Sequence, residues 1–528
     1  MLRKPFHSHP VYRLPLIAIL AAALACNTVQ RLVPLVRPTA TAARTPRPTV
    51  TPGPSATPRP TAPVVLNDLE PFRAAMRPEY AGDVDAFATA TRYSIEVAVT
   101  FDAEQSATLT GSELIHYTNR QASPLNELYL MLWPNGGEQY LSQLTLGEVK
   151  VNGQAVTPQM EHGQLAARLD LAQPLAPGAG VDVTAAFVIQ AQDGISSSGA
   201  ARFGLTNGVL LAPTFYPLIP RIVDGQWQTL PAPSGGDTTN SDTALYSWRV
   251  TAPADLAIVA SGTVVTGTTT GNTQTQEIVT GPMRDLALVV GPLALTQRQV
   301  GDVTVNAWML ADHASLAGKM LDYTQGQMQT LQAEVGDYPF EELDVVDAPG
   351  AFGGIEYPGE VFIGVVGGGD FFERATVHET GHQWFYSVVG DDQLLQPWLD
   401  EAAVSYTEVL YEEKIHGASA AKAALNEFKL ELKFVKDPNQ PIGLPVAGYP
   451  SENDYGIIVY AKGALFFDAL RQTMGEANFF AFLKAYYAQY RYGFAASADF
   501  EAAAEQTCAC DLKKLFDVWV YTGGPITP

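Results

Sequence analysis

Cysteine is almost missing from this chain: three occur in 528 residues, at Cys26, Cys508 and Cys510. So sparse a set excludes a fold stapled by a disulfide framework. Acidic residues are missing from the first 67 positions, where eight of the 32 basic residues lie. All 55 Asp and Glu fall from Asp68 onward, so the rest of the chain carries a net charge of −31. A surface that negative repels a phosphate backbone and argues against nucleic acid as a partner. Near the N-terminus the longest apolar run, Leu14 to Ala25, has twelve residues, against roughly 20 needed for a spanning helix. What is present is a composition 47% hydrophobic and 16% charged. That is a globular balance, in a length sufficient for two or three domains with cores of their own.

The chain opens with Arg3, Lys4 and Arg13, followed by the short apolar run and Ala23-Leu24-Ala25-Cys26. A basic start, an apolar centre and a small-residue end describe an export signal over residues 1–26. Cys26 stands where a bacterial lipoprotein signal places its acylated cysteine, so we expect a membrane anchor there. Plain cleavage after Ala-x-Ala is the competing reading. Residues 27–66 follow as a tether; from 37 to 63 they are dominated by Pro, Thr and Ala. Such a composition cannot bury a core and reads as an extended spacer. The remaining cysteines, Cys508 and Cys510, are two apart and have no metal-ligand companions. They are expected to be structural or unusually paired, since such close cysteines rarely bridge.

Between 67 and 300 the pattern is that of strands. Tyr93 to Phe101 alternates apolar and polar residues, the period of a half-buried strand. Further runs lie at 112–117, 128–132, 149–151, 181–189, 247–251, 257–260 and 285–290, and Asn152-Gly153 signals a hairpin. We expect an antiparallel β-domain. From 301 to 528 helical stretches dominate, at 314–335, 373–389, 399–415, 418–435, 458–474, 476–490, 497–506 and 511–520, with one short strand at 343–347. The chain thus reads as a multidomain α+β protein.

The chemistry lies in the second half. His378-Glu379-Thr380-Gly381-His382 sets two imidazoles four residues apart, one helical turn, where both reach one ion. Imidazole nitrogen suits zinc. After eighteen intervening residues, Glu401 near the start of the next helical stretch supplies an anionic third ligand. A His-His-Glu set leaves a position open, the pattern of a catalytic zinc. Such an ion lowers the pKa of a bound water to about 7, and Glu379 is placed to take its proton. Two bland readings stand beside this one: surface histidines on an amphipathic helix, and a helix-start acid favoured by the macrodipole. Neither explains the pairing of the two segments. Glu408, two turns beyond Glu401, reads either as an outer partner of a histidine or as a solvated glutamate.

These motifs resemble those of the aminopeptidase N-type zinc metallopeptidases, the gluzincins that include leukotriene-hydrolysing enzymes. The resemblance spans about residues 92 to 525. It implies a saddle-like N-terminal β-domain and a thermolysin-like catalytic domain, with one zinc ion per chain and peptides as substrates. Tyr460, in Tyr460-Ala461-Lys462-Gly463, matches the family's tyrosine that hydrogen-bonds the oxyanion. Gly353-Gly354-Ile355-Glu356-Tyr357 matches the exopeptidase segment: Glu356 would bind the substrate's α-amine, and the backbone around it would pair with the peptide. Tyr357 replaces the family's asparagine. The stretch comparable to the family's second amine-binding group, Leu210 to Pro217, contains no carboxylate. The large helical domain of many members has no counterpart here, which implies a more open cleft. The expected activity is zinc-dependent removal of N-terminal residues, with an endopeptidase or a non-catalytic surface binding protein as the alternatives.

Overall fold

The computed structural model describes residues 68–525, apart from 103–105, 138, 195–201, 232–235, 238–240, 351–352 and 366–368. The export signal, Cys26 and the tether therefore lie outside the described residues. Among those described, no helix is long and apolar enough to cross a membrane.

An eight-stranded sheet forms the N-terminal half. Its strands run in the order Thr263–Thr270, Thr273–Val279, Leu245–Pro253, Arg92–Phe101, Ala107–Thr118, Gly180–Ala191, Ser142–Val151 and Gln154–Val156. All neighbours are antiparallel except Arg92–Phe101 and Leu245–Pro253, which run parallel in register from Arg92↔Leu245. The expectation of a wholly antiparallel domain is corrected at that pair: these strands are far apart in sequence and meet by a long crossover, not a hairpin. Asn152 (φ +48°) and Gly153 (φ +77°) make the tight turn between Val151 and Gln154. Two positive φ values in succession are what such a turn demands. Inward-facing residues of the central strands meet a stack of tyrosines, with the Tyr93 and Tyr246 rings 4.8 Å apart.

A second sheet of five strands carries the site. Its order is Leu293–Val300, Val303–Leu310, Glu342–Asp347, Glu360–Ile363 and Gly354–Tyr357. The hairpin between the first two pairs Val300 with Val303, so the division expected at residue 300 runs through this hairpin. Gly354–Tyr357 forms an edge of the sheet, antiparallel to Glu360–Ile363.

Helices α1 (Ala317–Glu334) and α2 (Asp370–Gly381) pack against this sheet and each other, and α3 (Trp398–Tyr411) packs against both helices. Helix α2 stops at Gly381, eight residues short of the expected end at 389. Beyond it the chain turns sharply: Tyr386 has φ +104°, and Ser387 and Val389 donate to the carbonyls of His382 and Trp384. A positive φ cannot continue a right-handed helix. Gly381 also governs how near α3 can come, since a Cβ there would sit 2.8 Å from Thr407 Oγ1. The absence of that carbon lets α3 lie against the last turn of α2. At the C-terminal end Cys508 and Cys510 form a disulfide, the unusual pairing that is one of the two readings of them. The helix Ser497–Cys508 ends there, and Ala509 turns into the left-handed region at φ +49°, bringing the two Cα atoms to 5.1 Å.

Candidate metal centre and active site

His378 and His382 leave the same face of α2 one turn apart, and Glu401 enters from the first turn of α3. His378 Nε2 lies 3.2 Å from His382 Nε2 and 3.3 Å from Glu401 Oε2, and His382 Nε2 lies 3.4 Å from Glu401 Oε2. Ligands 2.0–2.1 Å from a tetrahedral ion are separated by roughly 3.3 Å, so the three atoms already stand at the spacing a zinc ion requires. They are also deeply placed: His378, His382 and Glu401 are 8%, 1% and 1% exposed. Three buried polar groups with their donor atoms turned toward one point need an occupant between them. The donor set and its spacing fit zinc.

Each ligand is held from behind. Nδ1 of His378 donates to Glu408 Oε1 at 2.8 Å, and the other oxygen of Glu408 accepts from Arg374 Nε at 2.6 Å. Glu408 is thus a buried outer partner, and the solvated reading of it is set aside. Nδ1 of His382 donates to the Phe385 carbonyl at 3.2 Å. Both contacts leave Nε2 as the atom facing the metal position. Burial alone would lower the His378 pKa, but its bonds to Glu401 and Glu408 outweigh it and raise the value to about 9. Burial pushes Glu401 up, yet the imidazoles of His382 and His378 outweigh it and hold the carboxylate well below its usual range.

Glu379 projects beside this set. Its buried carboxyl is pushed up to about 7 by burial, partly offset by the two imidazoles. It rests on the backbone of Gly354, where a Cβ would fall inside 3.0 Å of its Cγ and Oε1. The edge strand therefore passes directly beneath the acid. Glu356 is the next but one residue on that strand, and its carboxylate, that of Glu379 and a His382 nitrogen lie within 4.8 Å of one another. Glu356 Oε1 accepts from Gln393 Nε2 at 2.9 Å, and Gln393 also donates to Asp400 Oδ2 at 3.0 Å. Gln383 fixes the strand to α2, donating to the Tyr357 carbonyl at 3.0 Å and accepting from the Gly359 amide at 2.9 Å. Gly353 and Ile355 complete this wall.

Tyr460 comes from a wide-turn helical segment, Gly456–Lys462. Its hydroxyl donates to Glu401 Oε1, and its ring lies 5.8 Å from His378, nearly parallel at 16°. The geometry thus brings together His378, Glu379, His382, Glu401, Tyr460 and Glu356, residues spread over more than a hundred positions.

Sequence reading missed Asp237, Gln393 and Arg374. Asp237, in the β-domain, is buried and bonded to Arg202 Nη1 at 3.0 Å. Burial raises its pKa, and its electrostatic partners include Arg202, Glu401 and His382. It sits in Gly235-Gly236-Asp237-Thr238, which has no pattern to mark it, whereas Gln393 could have been noticed for lying between the two ligand segments. The stretch expected to face the amine site contributes Thr214, bonded instead to Asp285 Oδ2 at 3.1 Å.

The sequence of the peptidase family M1 domain matches residues 372–519, the span holding both ligand segments and Tyr460. Over that span the chain is similar to the M1 peptidases. The chain is 28% identical over 155 residues to aminopeptidase N of Streptomyces lividans, covering 28% of this chain and 18% of that protein. It is 24% identical over 177 residues to human aminopeptidase B, covering 31% and 27%. The chain thus spans less than a third of the length of the curated relatives it matches. In fold, the M1 zinc metallopeptidase of Deinococcus radiodurans superposes with a TM-score of 0.62 at 21% identity, over 83% of this chain and 95% of that one. A mutant of the Deinococcus enzyme bound to a Tyr-Ser-Ala substrate gives the same score at 20% identity.

Proposed function

We propose that this protein is a zinc aminopeptidase. The observation that carries the reading is the convergence of a ligand set at tetrahedral spacing with Glu379, Tyr460 and Glu356 around it. His378, His382 and Glu401 would hold the ion, which when bound supplies a Lewis acid and acidifies a water molecule in the cleft. The peptide adds to the edge strand Gly354–Tyr357 through backbone hydrogen bonds. Glu379 takes the proton of the attacking water on its carboxylate and returns it to the nitrogen of the leaving amine. A carboxyl with a raised pKa suits both halves of that exchange. The Tyr460 hydroxyl donates to the carbonyl oxygen as negative charge develops on it, a bond stronger in the transition state than in the ground state.

Glu356 anchors the α-ammonium of the substrate, and Asp237 supplies the second acidic group. Two buried carboxylates on this side favour a cation, which a free N-terminus provides and an acylated one does not. Matched peptides with free and acetylated N-termini test this directly. Selective cleavage of the free peptide, abolished by Glu379→Gln and by a chelator, is expected; equal cleavage of both would make the enzyme an endopeptidase. No hydrolysis of either, with zinc fully bound, would favour a non-catalytic binding protein. We further propose that the chain is exported and anchored through a lipid on Cys26; radiolabelled fatty acid incorporated by the wild type and lost in Cys26→Ala tests it.

A further inference from the structure

Tyr386 occupies a backbone conformation that its side chain opposes. At φ +104° a bulky residue is a true outlier, and such strain persists only where the surroundings overdetermine it. Here they do. The Tyr386 amide donates to the Val389 carbonyl at 2.8 Å. Its carbonyl accepts from Arg284 Nε at 2.8 Å, and its phenol donates to Asp285 Oδ1 at 3.4 Å. Arg284 and Asp285 are neighbours in the β-domain, and both are buried. The Arg284 carbonyl is itself held by Ser241 Oγ at 2.6 Å and Tyr246 OH at 3.0 Å. Two successive β-domain side chains thus grip one residue of the catalytic domain.

The gripped residue follows Phe385, whose carbonyl accepts the Nδ1 proton of His382. The Phe385–Tyr386 peptide plane decides where that oxygen points, and so which way the imidazole turns its Nε2. We propose that Tyr386 is a positioning residue through which Arg284 and Asp285 of the β-domain orient the metal ligand His382. The proposal rests on the zinc reading of the site. It explains why a strained tyrosine stands where a glycine would relieve the backbone: the strain is the tension of a strap, and its phenol is one of the two fastenings.

Two conservative variants of the full chain test it: Tyr386→Phe, which removes the phenol's bond, and Asp285→Asn, which replaces its charged acceptor with a weaker neutral one. Zinc affinity is read by competition with a chromophoric chelator, and melting temperature is read on the metal-free form. Loss of an outer contact to a metal ligand weakens binding 10–100-fold; about tenfold is expected in Tyr386→Phe and a smaller loss in Asp285→Asn. The double variant should be no weaker than Tyr386→Phe alone, because once the phenol is gone the acceptor at position 285 no longer acts on residue 386. A merely structural role would lower the melting temperature and leave zinc affinity of the folded protein unchanged, which would overturn the proposal. Should Asp285→Asn fail to fold, Tyr386→Phe decides alone. A wild type that takes up no stoichiometric zinc would sink the metal reading and this inference together, whereas normal wild-type uptake with unaltered variants sinks the inference only.

Discussion

A methyl group at position 354 is the sharpest perturbation this site offers. The Cβ of Gly354→Ala would fall inside 3.0 Å of Cγ and Oε1 of Glu379, where carbon and oxygen need about 3.4 Å or more. The edge strand is fixed through Gln383, so the side chain of Glu379 must yield by about 1 Å. Gly354 is absent from the positive-φ residues, and alanine there costs no backbone strain; the smaller entropy of the unfolded chain should even favour folding by about 0.4–1 kcal/mol. A catalytic group displaced by about 1 Å costs on the order of 100-fold in rate. Peptide hydrolysis should therefore fall about 100-fold in kcat, while the melting temperature stays within a few degrees and bound zinc remains stoichiometric. Combining Gly354→Ala with Glu379→Gln gives the decisive control. If the methyl acts only by moving the acid, the double variant should be no slower than Glu379→Gln alone. A near-normal kcat in Gly354→Ala, or a further loss in the double variant, would refute the reasoning that Glu379 is both the base and the group the strand positions.

Removing the phenol in Tyr460→Phe should lower kcat by about 100–1,000-fold with little change in KM, as expected of a donor to developing negative charge; a change confined to KM would argue for a ground-state contact instead. Glu408→Ala leaves His378 without its partner, and zinc affinity measured by chelator competition should weaken 10–100-fold. Glu356→Gln should raise KM for free-amine peptides and leave acetylated ones unaffected, which matched substrates will show. Glu113, buried in the β-domain with both oxygens unpartnered, has its pKa raised well above the usual value by burial. A raised carboxyl pKa disfavours the charged form in the fold. The wild type therefore loses stability relative to Glu113→Gln as pH rises above about 4.5, at about 1.4 kcal/mol per pH unit until the folded pKa is passed. Below pH 4 the two should unfold alike in thermal melts.

The parts of this site that could be read from sequence are those set by local geometry. Two histidines four apart on a helix must share a face, and a glutamate in the first turn of the next helix has one sensible use beside them. Glu408 follows from the same periodicity, although only packing could show whether it was buried. What escaped depends on contacts distant in sequence. Asp237 reaches the cleft because Arg202 holds it there. Beyond α2 the turn at Tyr386 is held by Arg284 and Asp285, and hydrophobic Trp384 to Val389 continues the helical pattern with nothing local to stop it. The parallel pairing of Arg92–Phe101 with Leu245–Pro253 joins strands some 150 residues apart, and alternation within each strand says nothing of its neighbour. The Cys508–Cys510 bridge turned on one left-handed residue, Ala509, which alanine gives no reason to expect.

The charge around the metal position gives the two domains a common task. Asp237 from the β-domain and Glu356, Glu379, Asp391, Asp400 and Glu401 from the catalytic domain are all buried. The cations beside them include Arg202, Arg284, His378 and His382. Burial pushes up the pKa of every one of those carboxyl groups and raises it on balance in all but Glu401, where the imidazoles outweigh burial and hold it down. Without metal, the imidazoles and several of these carboxyls hold protons to limit buried charge. A dication entering between His378, His382 and Glu401 replaces that positive charge, and the protons become unnecessary. Zinc uptake should therefore release protons into the solvent. Calorimetric titration in buffers of different ionisation enthalpy measures that number, and an apparent binding enthalpy independent of buffer would contradict the argument. The same logic extends to substrate: a cleft that binds protons when empty is a cleft built to receive cations, and a free peptide N-terminus brings one.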